Sequence, residues 1–176
     1  MPSGWQRPST ASASPARPWS ASPTGRVAHA ALVVPAGLVA SPLAPLAREV
    51  LIPLLRYRLA PRRDRLLRAA RPLLSEPDEE LATQLGAVLR HVRLDLRLPR
   101  LATAAELRGC AAPFLVFAAA DDPVFPGAAV AARAREIIPN LAGVEVLEGS
   151  RHIPPQAAFR HINARVAAFL RAPDAA

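Results

Sequence analysis

The sequence predicts an α/β fold: a short parallel sheet of about three strands flanked by helices, with a long helical segment inserted after the first strand. Three observations predict it. Short, nearly continuous apolar runs occur at residues 27–34, 113–118 and 144–147, the pattern of strands buried on both faces. Stretches with apolar residues at helical spacing separate them. From residue 113 onward the order is strand, loop, helix, strand, loop, helix, which is how a parallel sheet is built.

The elements follow in order. Residues 1–26 consist mainly of Ser, Pro, Ala, Arg and Thr. They show neither a helical nor a strand period, so they read as a disordered tail. Residues 27–38 hold the first strand, with His29 inside it and a Pro35-Ala36-Gly37 turn after it. Residues 39–109 read as helices. Ser41-Pro42 offers an N-cap and a proline at the first helical position. Leu43, Leu46, Val50, Leu51, Leu54 and Leu55 then recur at helical spacing, with Pro53 as a kink. Residues 61–71 give a basic helix with Leu66, Leu67 and Ala70 on one side. The strongest helix spans residues 77–94. Asp78, Glu79 and Glu80 crowd its first turn, where the helix dipole favours anions. Leu81, Leu85, Val88, Leu89 and Val92 form its apolar stripe. A short helix at 103–108 stops at Gly109. Residues 110–172 form the last region, with helices at 128–138 and 156–171. In the final helix Phe159, Ile162, Val166, Phe169 and Leu170 are expected to face inward.

Bulk composition narrows the function classes. A hydrophobic fraction of 51% with 20% charged residues suits a folded domain. The net charge is +8, and all 22 basic residues are arginine. Aromatic residues make up only 5%, which leaves few stacking platforms for single-stranded nucleic acid. The arginine run Arg56, Arg58, Arg62, Arg63, Arg65, Arg68 and Arg71 could meet phosphates or an anionic membrane. Its ordinary reading is a solvated helix face, and no nucleic-acid partner is expected. The most apolar run, residues 27–47, is broken by Pro35, Gly37, Pro42 and Pro45, so no stable membrane insertion is expected either. The single Cys110 forms no internal disulfide and fits a reducing cytoplasm. No His, Cys, Asp and Glu spacing suggests a metal site, and no cofactor is expected.

Two loops draw attention because functional residues of parallel sheets gather at the strand C-terminal ends. One follows the strand at 113–118 and holds Asp121 and Asp122. The other follows the strand at 144–147 and holds His152. Adjacent strands lie about 4.8 Å apart, so their loops can bring side chains together. An Asp bonded to a His fixes the imidazole tautomer and stabilises its cation, which makes the His a useful general base.

The segment 112–170 resembles the C-terminal part of α/β-hydrolases, especially bacterial carboxylesterase-like members with a helical lid. Residues 117–126, Phe-Ala-Ala-Ala-Asp-Asp-Pro-Val-Phe-Pro, resemble that family's acid loop, in which a proline follows the Asp by four residues. Counting back from Pro126 puts Asp122 in the acid position, with Asp121 as the fallback. Gly149-Ser150-Arg151-His152 matches the family's Gly-x-x-His loop, which gives His152 the base role. The last helix, with Asn163 and its Phe169-Leu170 end, is similar to the family's closing helix. Residues 27–38 resemble the strand and turn after the nucleophile helix, and residues 39–109 take the lid position. The resemblance implies a partial α/β-hydrolase fold, a catalytic Asp122 and His152, and a small-molecule ester or acyl substrate.

The family nucleophile sits in G-x-S-x-G, a strained strand-to-helix elbow. None of the eight glycines here begins that pattern. The serines before residue 27 lie in low-complexity sequence. The expectation is therefore a truncated hydrolase that is inactive as it stands. The abrupt change of composition near Arg26 is what an out-of-frame or mis-started reading of the nucleophile region would produce. A non-catalytic fragment or binding protein is the alternative. Its open strand edge at residues 27–34 would need a partner chain or drive self-association.

Overall fold

The computed structural model describes residues 27–91 and 99–171. The expected tail at 1–26, together with Val92 and the helix end expected at Leu94, lies outside these residues. The element order begins with β1 (Ala30–Val33), α1 (Leu43–Pro45), a π-helical segment (Leu46–Leu51), α2 (Ile52–Leu59), α3 (Arg63–Ala70), α4 (Glu79–His91) and α5 (Ala104–Leu107). It continues with β2 (Phe114–Ala119), α6 (Gly127–Ile137), β3 (Leu141–Leu147) and α7 (Gln156–Arg171). The three strands pair in parallel, as the sequence predicts, and the structure places them in the order β1-β2-β3.

Every residue of the central strand β2 is buried. Alternate side chains point to opposite faces of a strand. Accordingly Phe114, Val116 and Ala118 meet Val130, Ala134 and Ile137 of α6. Leu115 and Phe117 pack with Ile162 of α7, backed by Phe159, Val166 and Phe169. The two helices thus cover the two faces. Burying a side chain the size of Val or Phe contributes about 1.5–3 kcal/mol, so this double-sided strand anchors the fold.

β1 departs from the expectation of a strand buried on both faces. It is only half-buried, and Val33 is exposed. The reason is position: β1 is an outer strand with one strand neighbour, β2, among the described residues. His29 lies just before it and packs edge-on against Phe169, with ring centroids 4.9 Å apart.

The helical region corrects several sequence assignments. Pro42 takes the N-cap position without a side-chain cap, while Ser41 is buried. Pro53 sits in the first turn of α2, directly after the π-helical segment, where Ile52 N–H reaches back to the Ala47 carbonyl. A widened turn is a standard way to absorb the ring and missing N–H of a proline. Leu43 and Leu55 face outward, and Tyr57, which the periodicity passed over, is buried with Leu46 and Val50. In α3 the buried residues are Ala69 and Ala70, and Leu67 is exposed.

In α4 the inner face is Ala82, Gly86 and Leu89, while Val88 is 47% exposed. Gly86 explains the rotation, because a Cβ there would lie 2.8 Å from a Leu66 methyl. The absent side chain lets α3 and α4 close up along this line. Asp78 caps the helix: its Oδ1 accepts from Leu81 N–H at 2.8 Å. In α7, Leu170 is 54% exposed rather than inward.

Three of the seven arginines in the run have local partners. Arg63 pairs with Glu79 and Arg68 with Asp64, while Arg65 donates to the Arg56 carbonyl. No described helix is long and apolar enough to cross a membrane.

α7 is also tied to β3 by charge. Glu145 accepts from His161 Nε2 at 2.7 Å and from Arg165 Nε at 2.5 Å. Partial burial pushes the Glu145 carboxyl up, but the hydrogen bonds from His161 and Arg165 outweigh it and hold the group below its ordinary value of 4.5. A depressed folded-state pKa contributes stability that is present above the unfolded value and is lost as pH falls through the folded one. Melting temperature followed against pH is therefore expected to decline on the acid side of pH 4.5. Glu145→Gln should shallow that decline and leave the curve above it nearly parallel. Superimposable acid limbs would count against the tie.

Candidate active site

The two suspect loops meet. β2 ends at Ala119, and the chain turns so that Ala120 N–H donates to the Leu147 carbonyl at 3.1 Å and Asp121 N–H to the Ser150 carbonyl at 2.9 Å. The loop after β2 is thereby zipped by backbone bonds to the loop after β3. Gly127 opens α6 against the same strand tip, where a Cβ would lie 2.4 Å from the Ala119 carbonyl oxygen. Only a residue without a side chain fits that close approach. Gly149 sits at φ +64°, the left-handed conformation that glycine adopts at no steric cost, and turns the chain toward His152.

Asp122 and His152 face each other across these tips, with Nδ1 of His152 2.9 Å from Oδ2 of Asp122. The Asp122 side chain has no exposed surface, while that of His152 is 32% exposed. The other carboxylate oxygen, Oδ1, accepts from Val124 N–H at 2.7 Å. This bond to the backbone two residues on is the turn that Asp commonly forms, and it holds the carboxylate from the side away from the imidazole's bond. A carboxylate can only accept, so the facing Nδ1 carries the proton and Nε2 is left as an acceptor. The Phe125 ring lies 5.9 Å from the imidazole, centroid to centroid, and closes one side of it. Asp121, the fallback for the acid, is exposed and takes part through its backbone.

No described serine reaches the imidazole. The Ser75 hydroxyl bonds to the Ile153 carbonyl and the Arg151 N–H. The hydroxyls of Ser41 and Ser150 are buried without a partner among the described residues. Nor do three or more His, Cys, Asp or Glu side chains converge as a metal site among the described residues. Cys110 is half-buried just before β2.

Two features of the site escaped sequence reasoning. Gly127 was legible only as part of a turn, though a Pro-Gly pair at a strand-to-helix junction is a signal for close packing. Ser75 carried no signal at all, because its partners lie 76 to 78 residues away.

Comparison with known proteins returns no matching family description and no matching characterised protein by sequence. Solved structures do match. Carboxylesterase CesB of Bacillus subtilis superposes with a TM-score of 0.61 at 13% identity, covering 81% of this chain and 51% of that one. Naproxen esterase of Bacillus subtilis gives 0.57 at 15% identity, covering 82% and 51%. The esterase RhEst1 of Rhodococcus sp. ECU1013 gives 0.54 at 20% identity, covering 81% and 55%. The chain spans about half the length of the solved structures it matches. With its three parallel strands and the helices on both sheet faces, the chain has part of the α/β-hydrolase fold.

Proposed function

We propose that this chain is the acid-and-base part of a serine-esterase-type α/β-hydrolase, with His152 as general base and Asp122 as the residue that orients it. The observation that carries the reading is the 2.9 Å contact between a fully buried carboxylate and a partly exposed imidazole at neighbouring strand tips. In the reaction such a pair serves, Nε2 takes the proton of an attacking hydroxyl as the oxygen bonds to the ester carbonyl carbon. The same proton then goes to the departing alcohol. His152 keeps its Nδ1 proton throughout, donated to the Asp122 carboxylate, which stabilises the imidazolium. The substrate class is a small-molecule carboxylic ester or acyl compound.

The helices between β1 and β2 would act as the lid over that substrate. The half-buried Cys110 suits a reducing cytoplasm, which is the setting we assign. The sequence holds no G-x-S-x-G pattern, and in this reading the oxyanion donors that accompany the elbow are missing with it. Losing one such donor alone costs about 2.7–4 kcal/mol of transition-state stabilisation. The chain alone is therefore expected to hydrolyse p-nitrophenyl esters at the background rate. It should also resist labelling by a fluorophosphonate, and His152→Ala should change neither result. Turnover or labelling that disappears in His152→Ala would show that a nucleophile is present and would overturn this part of the reading.

One observation favours the second reading, a binding fragment. β1 presents an outer strand with an exposed Val33 and one strand neighbour among the described residues. Unpaired strand edges recruit other strands, so self-association through β1 is the expected consequence.

A further inference from the structure

The loop that carries His152 is held from outside the sheet, by the segment between α3 and α4. Ile153 N–H donates to the Leu73 carbonyl at 2.8 Å, and Ser75 N–H donates to the Ile153 carbonyl at 3.2 Å. These bonds make a short parallel bridge between Leu74 and Ile153. The Ser75 hydroxyl adds something the backbone bridge does not. Its oxygen accepts from Arg151 N–H at 2.8 Å and its proton goes to the Ile153 carbonyl, also at 2.8 Å. One hydroxyl therefore grips the residue before His152 and the residue after it. Arg151 reinforces the same contact by donating to the Arg71 carbonyl at 3.3 Å.

We propose that Ser75 is a positioning residue for His152, through which the helical segment sets the presentation of the imidazole to Asp122. The proposal rests on reading Asp122 and His152 as an acid–base pair. Gly149, three residues before the histidine, turns the loop in the left-handed conformation that glycine adopts freely. The Ser150 carbonyl is fixed by Asp121 N–H, and Ile153 is fixed by the bridge. The Arg151 N–H belongs to the same planar peptide as that Ser150 carbonyl, and the Ser75 hydroxyl holds it from the opposite side, which stops the plane from rotating. A hydrogen-bonded pair such as His152 and Asp122 loses strength steeply when its angle opens, so a swivel at Arg151 is transmitted directly to the Nδ1 contact. Ser75→Ala keeps both backbone bonds and the buried Leu74, and removes only this grip.

The test compares the 15N-labelled wild-type chain with Ser75→Ala, Ser75→Thr and Asp122→Asn. It reads the tautomer of the neutral His152 ring by NMR and the hydrogen exchange of the Arg151 amide. The wild type is expected to hold the Nδ1–H tautomer, and Asp122→Asn to lose it. Ser75→Ala should give a mixture of tautomers and speed Arg151 exchange about tenfold, the factor that one hydrogen bond of ordinary net strength supplies. Ser75→Thr, which keeps the hydroxyl, should restore both. If Ser75→Ala does not fold, Ser75→Cys, of similar size and with a poor acceptor, takes its place in the same measurements. Wild-type tautomer and protection in the Ala or Cys variant, alongside a changed tautomer in Asp122→Asn, would overturn the role of Ser75 and leave the acid–base pair standing. An Nε2–H ring in the wild type, or no change in Asp122→Asn, would overturn the pair itself and this proposal with it.

Discussion

Gly127→Ala is expected to destabilise the fold by about 3 kcal/mol, the upper end of what overpacking costs. The new methyl would lie 2.4 Å from the Ala119 carbonyl oxygen and 2.7 Å from its carbon. Both are backbone atoms at the end of a fully buried strand, so no side chain can swing aside. Either the first turn of α6 must lift or the tip of β2 must bend. Alanine's better helix propensity works the other way, but it is worth only about 1 kcal/mol in a helix interior and Gly127 is at the helix start. The steric term wins. With a urea m-value of about 1–3 kcal/mol per molar, the midpoint should fall by about 1 M or more. A midpoint within 0.2 M of wild type, roughly half a kcal/mol on the same scale, would contradict the packing described for this junction.

Asp122→Ala is the second large effect. The carboxylate has no exposed surface and satisfies two donors, Val124 N–H and the His152 ring. Removing it leaves both without their acceptor. An unsatisfied buried donor costs about 1–3 kcal/mol. Because His152 is partly exposed and can turn toward solvent, the smaller figure applies to it and the larger to Val124. The expected loss is about 2–4 kcal/mol, read from chemical denaturation. Asp121→Ala, at an exposed position, should stay within about 0.5 kcal/mol of wild type. Equal losses at the two positions would mean that the two carboxylates had been assigned the wrong way round.

The contrast between Asp121 and Asp122 shows what the sequence carried. The resemblance to the hydrolase acid loop singled out Asp122, and the structure buries that residue against His152 and leaves Asp121 outside. The parallel strands and the loops at their tips were legible too, because β2 is an unbroken apolar run whose burial follows from its own composition. Helix faces were less legible. The apolar stripe through Val88 looked continuous, yet the packed face runs through Ala82 and Gly86, since small residues permit the closest approach and periodicity counts only large ones. The half-exposed β1 was missed for a different reason. A strand's composition records the surroundings it suits, not whether a neighbour stands beside it. Ser75 lies beyond both kinds of signal, for its role depends on a contact between segments far apart in the chain.

The tautomer of the neutral His152 ring tests the whole account most directly, since it reports whether the carboxylate of Asp122 commands the imidazole in solution. With an acceptor-only partner at Nδ1, the ring should carry its proton there. In Asp122→Asn the amide can present N–H donors to the same nitrogen, and the proton should move to Nε2, the arrangement that leaves a general base unable to accept. Nitrogen-15 spectra showing Nδ1–H in the wild type and Nε2–H in the variant are what the account predicts. A wild-type ring already protonated at Nε2, or the same spectrum in both proteins, would contradict it.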